Sequence, residues 1–210
     1  EDFQPLFTKL NDTVTGIANN LNEELDGFAH ASVVDFINSH LSVLKQHLEG
    51  IKLLGVAPDN VAAGILSIGE YISVTLFSAM LSAKGIANRV IDPVKYVLAD
   101  GEYLDSIADV SLSKARFSDV PNDGSEFLIM PGFVAANEAG EKVTLGRNGS
   151  DYSAAILVAC IDASCCEIWT DVDGVYNADP NQVEGAVLLD KLTYQEAMEL
   201  SYFGAKVLHP

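Results

Sequence analysis

Basic residues are scarce in this chain. Its 210 residues hold 12 Lys+Arg against 30 Asp+Glu, a formal net charge of −18. A nucleic-acid binder presents a basic face to phosphates, and this composition supplies none. The same acidity favours solubility and disfavours an anionic membrane surface. If the substrates are anions, the few cations must stand at the site, which directs attention to Arg147 and Lys206. Cysteine is scarce too, with Cys160, Cys165 and Cys166 only. An odd count with an adjacent pair makes no disulfide framework, and neither a CxxC pair nor metal-ligand spacing is present. The surrounding LVACIDASCCEIW is apolar, which predicts small buried thiols in a reducing cytoplasm. Neither a signal peptide nor an apolar run of membrane-spanning length is expected. Internal repeats, low-complexity tracts and interdomain linkers are also lacking.

What the chain does have is apolar residues, 49% of the total. That suffices for one sizeable core and excludes a disordered chain. Phe3, Leu6, Phe7, Leu10, Val14, Ile17, Leu21 and Leu25 recur at helical spacing, as do Val33, Ile37, Leu41, Leu44 and Leu48 behind a Ser32 N-cap. Asp59 or Asn60 is placed to cap a third helix running to about Ala83, with Gly85 as its stop. Residues 87–92 predict a strand, 94–98 and 111–116 short helices, and 127–134 a buried strand that breaks at Pro131-Gly132. A turn at 137–140 leads to a strand over 142–145. Ser150 is expected to cap a helix over 150–162, a strand follows at 167–170, and Thr193-x-x-Glu196 forms a capping box. The acidic stretch 104–125 predicts an irregular surface excursion. Strands alternating with helices imply an α/β fold with a largely parallel sheet.

Two segments carry chemistry. Residues 143–151, VTLGRNGSD, are an apolar run that ends in a Gly-rich turn before a helix. Backbone N–H groups and the positive end of the helix suit an anion there. Arg147 adds a planar fork for a carboxylate or phosphate, and Asp151 suits an ammonium. One Arg and one Asp together can bind a zwitterion; a tight turn with a solvated Arg fits the same spacing. Residues 168–180, IWTDVDGVYNADP, end a second apolar run in polar and turn residues, among them Thr170, Asp171 and Tyr176. Gly69-Glu70 lies inside the third helix, where a glycine usually marks a close approach. The histidines His30, His40, His47 and His209 have no ligand-like partners in sequence.

Taken together, TLGRNGSDYSAA, IWTDVDGVYNADP and YQEAMELSYFGAKVLHP, with Gly69-Glu70 upstream, resemble the aspartate kinase branch of the amino acid kinase family. The wording is similar to the kinase portion of bifunctional aspartokinase/homoserine dehydrogenases. The resemblance spans about residues 50–210 and, more loosely, the first helices. It implies a three-layer α/β/α sandwich with a mainly parallel central sheet. The implied reaction moves the γ-phosphoryl group of ATP, with Mg²⁺, to the β-carboxylate of L-aspartate, at the entry to lysine, threonine and methionine synthesis. By motif position, Glu70, Arg147 and Asp151 would hold the amino acid, with Asn148, Gly149 and Ser150 lining its pocket. Thr170, Asp171, Tyr176, Asn181, Lys206 and Val207 would surround ATP; Lys206, Arg147 and Asp151 would carry the chemistry. Many relatives have Arg where this chain has Asn181.

The resemblance further implies a cytoplasmic protein and a homo-oligomeric parent, with no nucleic-acid or membrane partner. The family begins with a strand and a Lys-Phe-Gly-Gly-Thr-Ser loop that cradles phosphates, and this sequence contains neither. The chain, from Glu1 to Pro210, is therefore expected to be a partial kinase domain, truncated at both ends and without turnover of its own. A sibling kinase with another acceptor and a non-catalytic binding module are the alternatives. A sheet edge left open by the absent strand would pair with another copy.

Overall fold

The computed structural model describes residues 2–120, 124–147, 149–169, 173–179 and 182–202, with residues 201 and 202 described by backbone alone. It divides into two compact units, Glu1–Cys166 and Glu167–Pro210.

The first unit opens with three long helices: α1 (Gln4–Glu24), α2 (His30–Leu54) and α3 (Asp59–Ala83). Each buries one stripe. Val14 and Ala18 of α1, Val33, Ile37, Leu41 and Leu44 of α2, and Ile68, Ile72 and Leu76 of α3 meet in one cluster, with Phe28 from the α1–α2 connection. Each large aliphatic side chain withdrawn from water there contributes about 1.5–3 kcal/mol. The expected caps differ from those found. Ser32 donates back to the Ala29 carbonyl at 2.9 Å, inside α2, and caps no N–H. Pro58 holds the N-cap place of α3, so Asp59 is already helical and acts on the positive end by charge alone. The stop at Gly85 is as expected. Its φ is +73°, and Ile86 N–H to Leu81 O and Gly85 N–H to Ser82 O, each 2.9 Å, close a Schellman turn.

By length and composition α3 could cross a membrane, contrary to the expectation of no such run. In this fold one face of it packs against α2 and the strands, while Leu66 and Phe77 stay exposed.

After α3 come β1 (Asn88–Val90), α4 (Pro93–Tyr96), α5 (Val110–Phe117), β2 (Phe127–Ile129), β3 (Val134–Ala136), β4 (Lys142–Thr144) and α6 (Gly149–Ile161). β1 and β2 pair in parallel with Arg89 opposite Leu128; β3 and β4 pair antiparallel with Ala135 opposite Val143. Asn137 and Glu141 close the β3–β4 turn: Glu141 N–H donates to Asn137 Oδ1 at 2.9 Å, and Asn137 Nδ2 to Glu141 Oε2 at 2.9 Å. A second core joins the strands to α5 and α6 through Val97, Phe117, Ala135, Val143, Leu145, Ile156 and Cys160. With α3 packed on β1 and β4, helices cover both faces, the three-layer α/β/α arrangement.

The stretch 104–125 is less of an excursion than its charge suggests. Ser106, Ser113, Phe117 and Val120 are buried. Thr144 N–H donates to Tyr103 O at 2.8 Å and Ser106 N–H to Thr144 O at 2.9 Å, so backbone pairing with β4 anchors it.

Cys160 is buried, but Cys165 and Cys166 are exposed, which corrects the expectation of three buried thiols. α6 ends at Ile161, and the chain leaves the core before it reaches the vicinal pair.

In the second unit Tyr176 pairs with Leu188 in an isolated antiparallel bridge, and Thr193 and Glu196 open α7 (Tyr194–Tyr202). The capping box is as expected: Thr193 N–H and Oγ1 each donate to Glu196 Oε2 at 2.8 Å. The strand expected at 167–170 is absent over its described part, and Trp169 is 89% exposed. An apolar run becomes a strand only where a neighbouring edge takes up its backbone groups.

Candidate functional site

The site is built where β2 gives way to β3 and where β4 runs into α6. Pro131 and Gly132 end β2, and Phe133 turns the chain into β3 with a φ of +66°. A left-handed phenylalanine costs about 1–2 kcal/mol, so its surroundings must hold it. They do so at both ends: Phe133 N–H donates to Ser153 Oγ at 2.8 Å, and Phe133 O accepts Leu145 N–H at 2.9 Å.

Gly132 and Gly149 let this turn approach α6. A Cβ on Gly132 would stand 3.0 Å from Ser150 Oγ and 3.1 Å from Ser150 Cα. One on Gly149 would stand 2.7 Å from Phe133 Cδ2 and 3.2 Å from Leu145 Cβ. Gly146, with φ +73°, faces Asp105, whose Oδ1 would lie 2.0 Å from an added Cβ. Gly146 is thus required by its left-handed backbone and Gly149 by its close approach to Phe133 and Leu145.

Glu70 comes to the same place from α3. Its carboxylate faces the backbone N–H of Gly132. Burial pushes the carboxyl up from the ordinary range, and the Gly132 N–H partly offsets that by favouring the charged form. A half-buried carboxylate of this kind gains from a nearby cation.

The structure thus brings Glu70, Gly149 and Ser150 together around Gly132. Arg147 and Asp151 flank Gly149 and Ser150 in the chain; both are exposed, and neither makes an ion pair with a described residue. Ser150 lies within α6, which begins at Gly149, so it is not the N-cap that its position suggested. Gly69 shows no close approach either, with nothing within 4 Å of an added Cβ. Sequence reasoning passed over Gly132, Phe133 and Ser153. The signal available was the Pro-Gly break followed by an aromatic residue.

Beside the site, Tyr71 donates to Asp92 Oδ1 at 2.7 Å, and the Lys142 ammonium lies 4.3 Å from the Tyr71 ring centre. Burial pushes the Tyr71 hydroxyl pKa up and the Lys142 ammonium pKa down. An apolar groove lined by Phe77, Leu81, Leu128 and Leu157 runs between α3, β2 and α6 up to Gly132, Ser150 and Ser153.

Of the residues expected around a nucleotide, Tyr176 alone is described. Its hydroxyl donates to Asp173 Oδ2 at 3.4 Å, and Leu189 N–H to Val175 O at 2.8 Å steadies the neighbouring backbone. Asn148, Thr170, Asp171, Asn181, Lys206 and Val207 lie outside the described residues. Among the described residues no group of three or more His, Cys, Asp or Glu side chains is placed to hold a metal ion.

Comparison with known proteins gives this geometry a context. The model of the amino acid kinase family matches residues 15–210. A bifunctional aspartokinase/homoserine dehydrogenase from Buchnera aphidicola is 48% identical over 195 residues, 92% of this chain and 24% of that protein. One from Haemophilus influenzae is 47% identical over 194 residues, again 92% and 24%. The chain thus spans about a quarter of the length of these relatives. Among solved structures, E. coli aspartokinase III in complex with aspartate and ADP superposes with a TM-score of 0.87 at 29% identity, covering 97% of this chain and 45% of that one.

Proposed function

Because this chain belongs to the amino acid kinase family, we propose that it is part of an aspartate kinase that transfers the γ-phosphoryl group of ATP to the β-carboxylate of L-aspartate. The observation that carries this reading is the meeting of the Glu70 carboxylate, on the Gly132 N–H, with the start of α6, beside Arg147 and Asp151. One guanidinium and two carboxylates suit the zwitterionic head of an amino acid, a carboxylate beside an α-ammonium. The Arg147 guanidinium takes a substrate carboxylate in a bidentate pair. Glu70 and Asp151 take the α-ammonium, and that cation draws the Glu70 carboxyl back toward its charged form.

The β-carboxylate, with an ordinary pKa of about 3.9, is already ionised at neutral pH and needs no general base. One of its oxygens forms the new bond to Pγ. The bond from Pγ to the bridging oxygen breaks, and ADP leaves with that electron pair. Catalysis is then positioning and charge neutralisation. Thr170, Asp171, Tyr176, Asn181, Lys206 and Val207 are assigned to the nucleotide on their place in the motifs, Lys206 to its phosphates. Mg²⁺ would arrive with the nucleotide phosphates and neutralise their charge.

The relatives' names and lengths support a longer parent that also carries a homoserine dehydrogenase portion. Its place in the cytoplasm and its homo-oligomeric state are proposed on the family resemblance alone. The sequence lacks Lys-Phe-Gly-Gly-Thr-Ser, so this chain by itself is proposed to bind aspartate without appreciable turnover.

The test is hydroxylamine trapping of the acyl phosphate by the full-length protein with Mg-ATP and a panel of acceptors. Hydroxamate with L-aspartate alone supports the reading. Hydroxamate with L-glutamate instead would establish a sibling kinase, and none with any acceptor would leave a binding module.

A further inference from the structure

Ser153 reaches from α6 to the turn carrying Gly132 and hydrogen-bonds its backbone. It is 3% exposed. Its Oγ accepts Phe133 N–H at 2.8 Å and donates to the Gly149 carbonyl at 2.7 Å. One hydroxyl therefore ties the left-handed Phe133 to the first residue of α6. Successive amides of the turn face opposite sides: Gly132 N–H is turned toward Glu70 on α3, and Phe133 N–H is bonded to Ser153 on α6. With Ser150 and Phe133 pressed against the glycines, the turn has little room to move once both are held.

We propose that Ser153 is a positioning residue for the amino-acid site. It touches no substrate. Its hydroxyl fixes the 132–133 peptide, so that Gly132 N–H stays on Glu70 and the glycines stay against the turn that carries Arg147. This rests on the reading of the cleft as an amino-acid site.

Removing the hydroxyl removes the acceptor of Phe133 N–H and frees the strained φ to relax. Gly132 N–H then leaves Glu70, and the carboxylate keeps its burial without its donor. Alanine is the best helix former, so Ser153→Ala is expected to keep α6 and the fold. Ser153→Thr retains an oxygen able to bond the carbonyl four residues back.

The experiment compares this chain with its Ser153→Ala and Ser153→Thr forms by three readouts. These are amide exchange at Phe133, the titration midpoint of Glu70 from carboxyl ¹³C shifts, and calorimetric titration with L-aspartate. In Ser153→Ala, Phe133 exchange is expected to quicken, the Glu70 midpoint to rise and aspartate affinity to fall about tenfold, the scale of one buried hydrogen bond. Ser153→Thr is expected to restore all three. A Glu70 midpoint that stays put in Ser153→Ala while Phe133 exchange quickens would overturn the proposal, as would unchanged aspartate affinity. If the unsubstituted chain takes no aspartate, the reading of the cleft fails, and the Glu70 midpoint still decides the role of Ser153.

Discussion

Gly149 and Phe133 stand so close that a Cβ on the glycine would lie 2.7 Å from Phe133 Cδ2 and 3.3 Å from its Cα. The first residue of α6 and the left-handed residue between β2 and β3 are therefore packed as one piece.

Gly149→Ala is expected to destabilise the fold by about 1–3 kcal/mol, the usual range for overpacking, and to weaken aspartate binding with it. Gly69→Ala makes the contrast. Gly69 sits inside α3 with nothing within 4 Å of an added Cβ, so alanine there should stabilise by about 0.5–1 kcal/mol. Thermal melts of the two variants check both signs.

Glu70→Gln should raise stability at neutral pH and remove aspartate binding. The folded carboxyl is shifted up by burial, so the native state binds its proton more tightly than the unfolded chain. That linkage favours the fold fully below the unfolded pKa and is lost as pH rises through the folded one. At neutral pH the charged carboxylate is a burden that the amide lacks; at acid pH the difference closes. Denaturant midpoints of both proteins across pH 3–8 read it out.

Glu196 has the opposite sign. The Thr193 backbone N–H and hydroxyl hold its carboxyl below the ordinary range. Its contribution is present above the unfolded pKa and lost as pH falls through the folded one. Thr193→Ala should fray α7 and weaken this acid dependence without abolishing it, since the backbone N–H at 193 remains, visible as faster amide exchange over the first turn.

Cys165 and Cys166 should react quickly with a thiol reagent in the native protein, while Cys160 reacts only on unfolding. Burial both shields the Cys160 thiol and pushes its pKa up, lowering the thiolate fraction that reacts. Two rapid equivalents followed by one slow equivalent is the expected trace.

The long helices were legible because an apolar stripe at helical spacing has one inexpensive solution, and α1, α2 and α3 follow it. The capping box was legible because both partners lie four residues apart or less. The absent strand over 167–169 was not, since strand formation depends on an edge elsewhere in the chain. Nor did composition reveal that the start of the acidic stretch is pinned to β4 at Tyr103 and Ser106. In the site, Glu70, Gly149 and Ser150 could be named from their motifs. Phe133 and Ser153 could not, because a left-handed backbone held by a hydroxyl twenty residues away is a tertiary property.

The most direct test of the account is a calorimetric titration of L-aspartate into this chain and into its Arg147→Ala form. The account predicts saturable binding that weakens about 10-fold or more on loss of the guanidinium, since hydrogen bonds to charged groups are worth about 1.5–3 kcal/mol. Aspartate binding that is absent from the unsubstituted chain, or that survives Arg147→Ala unchanged, would contradict it.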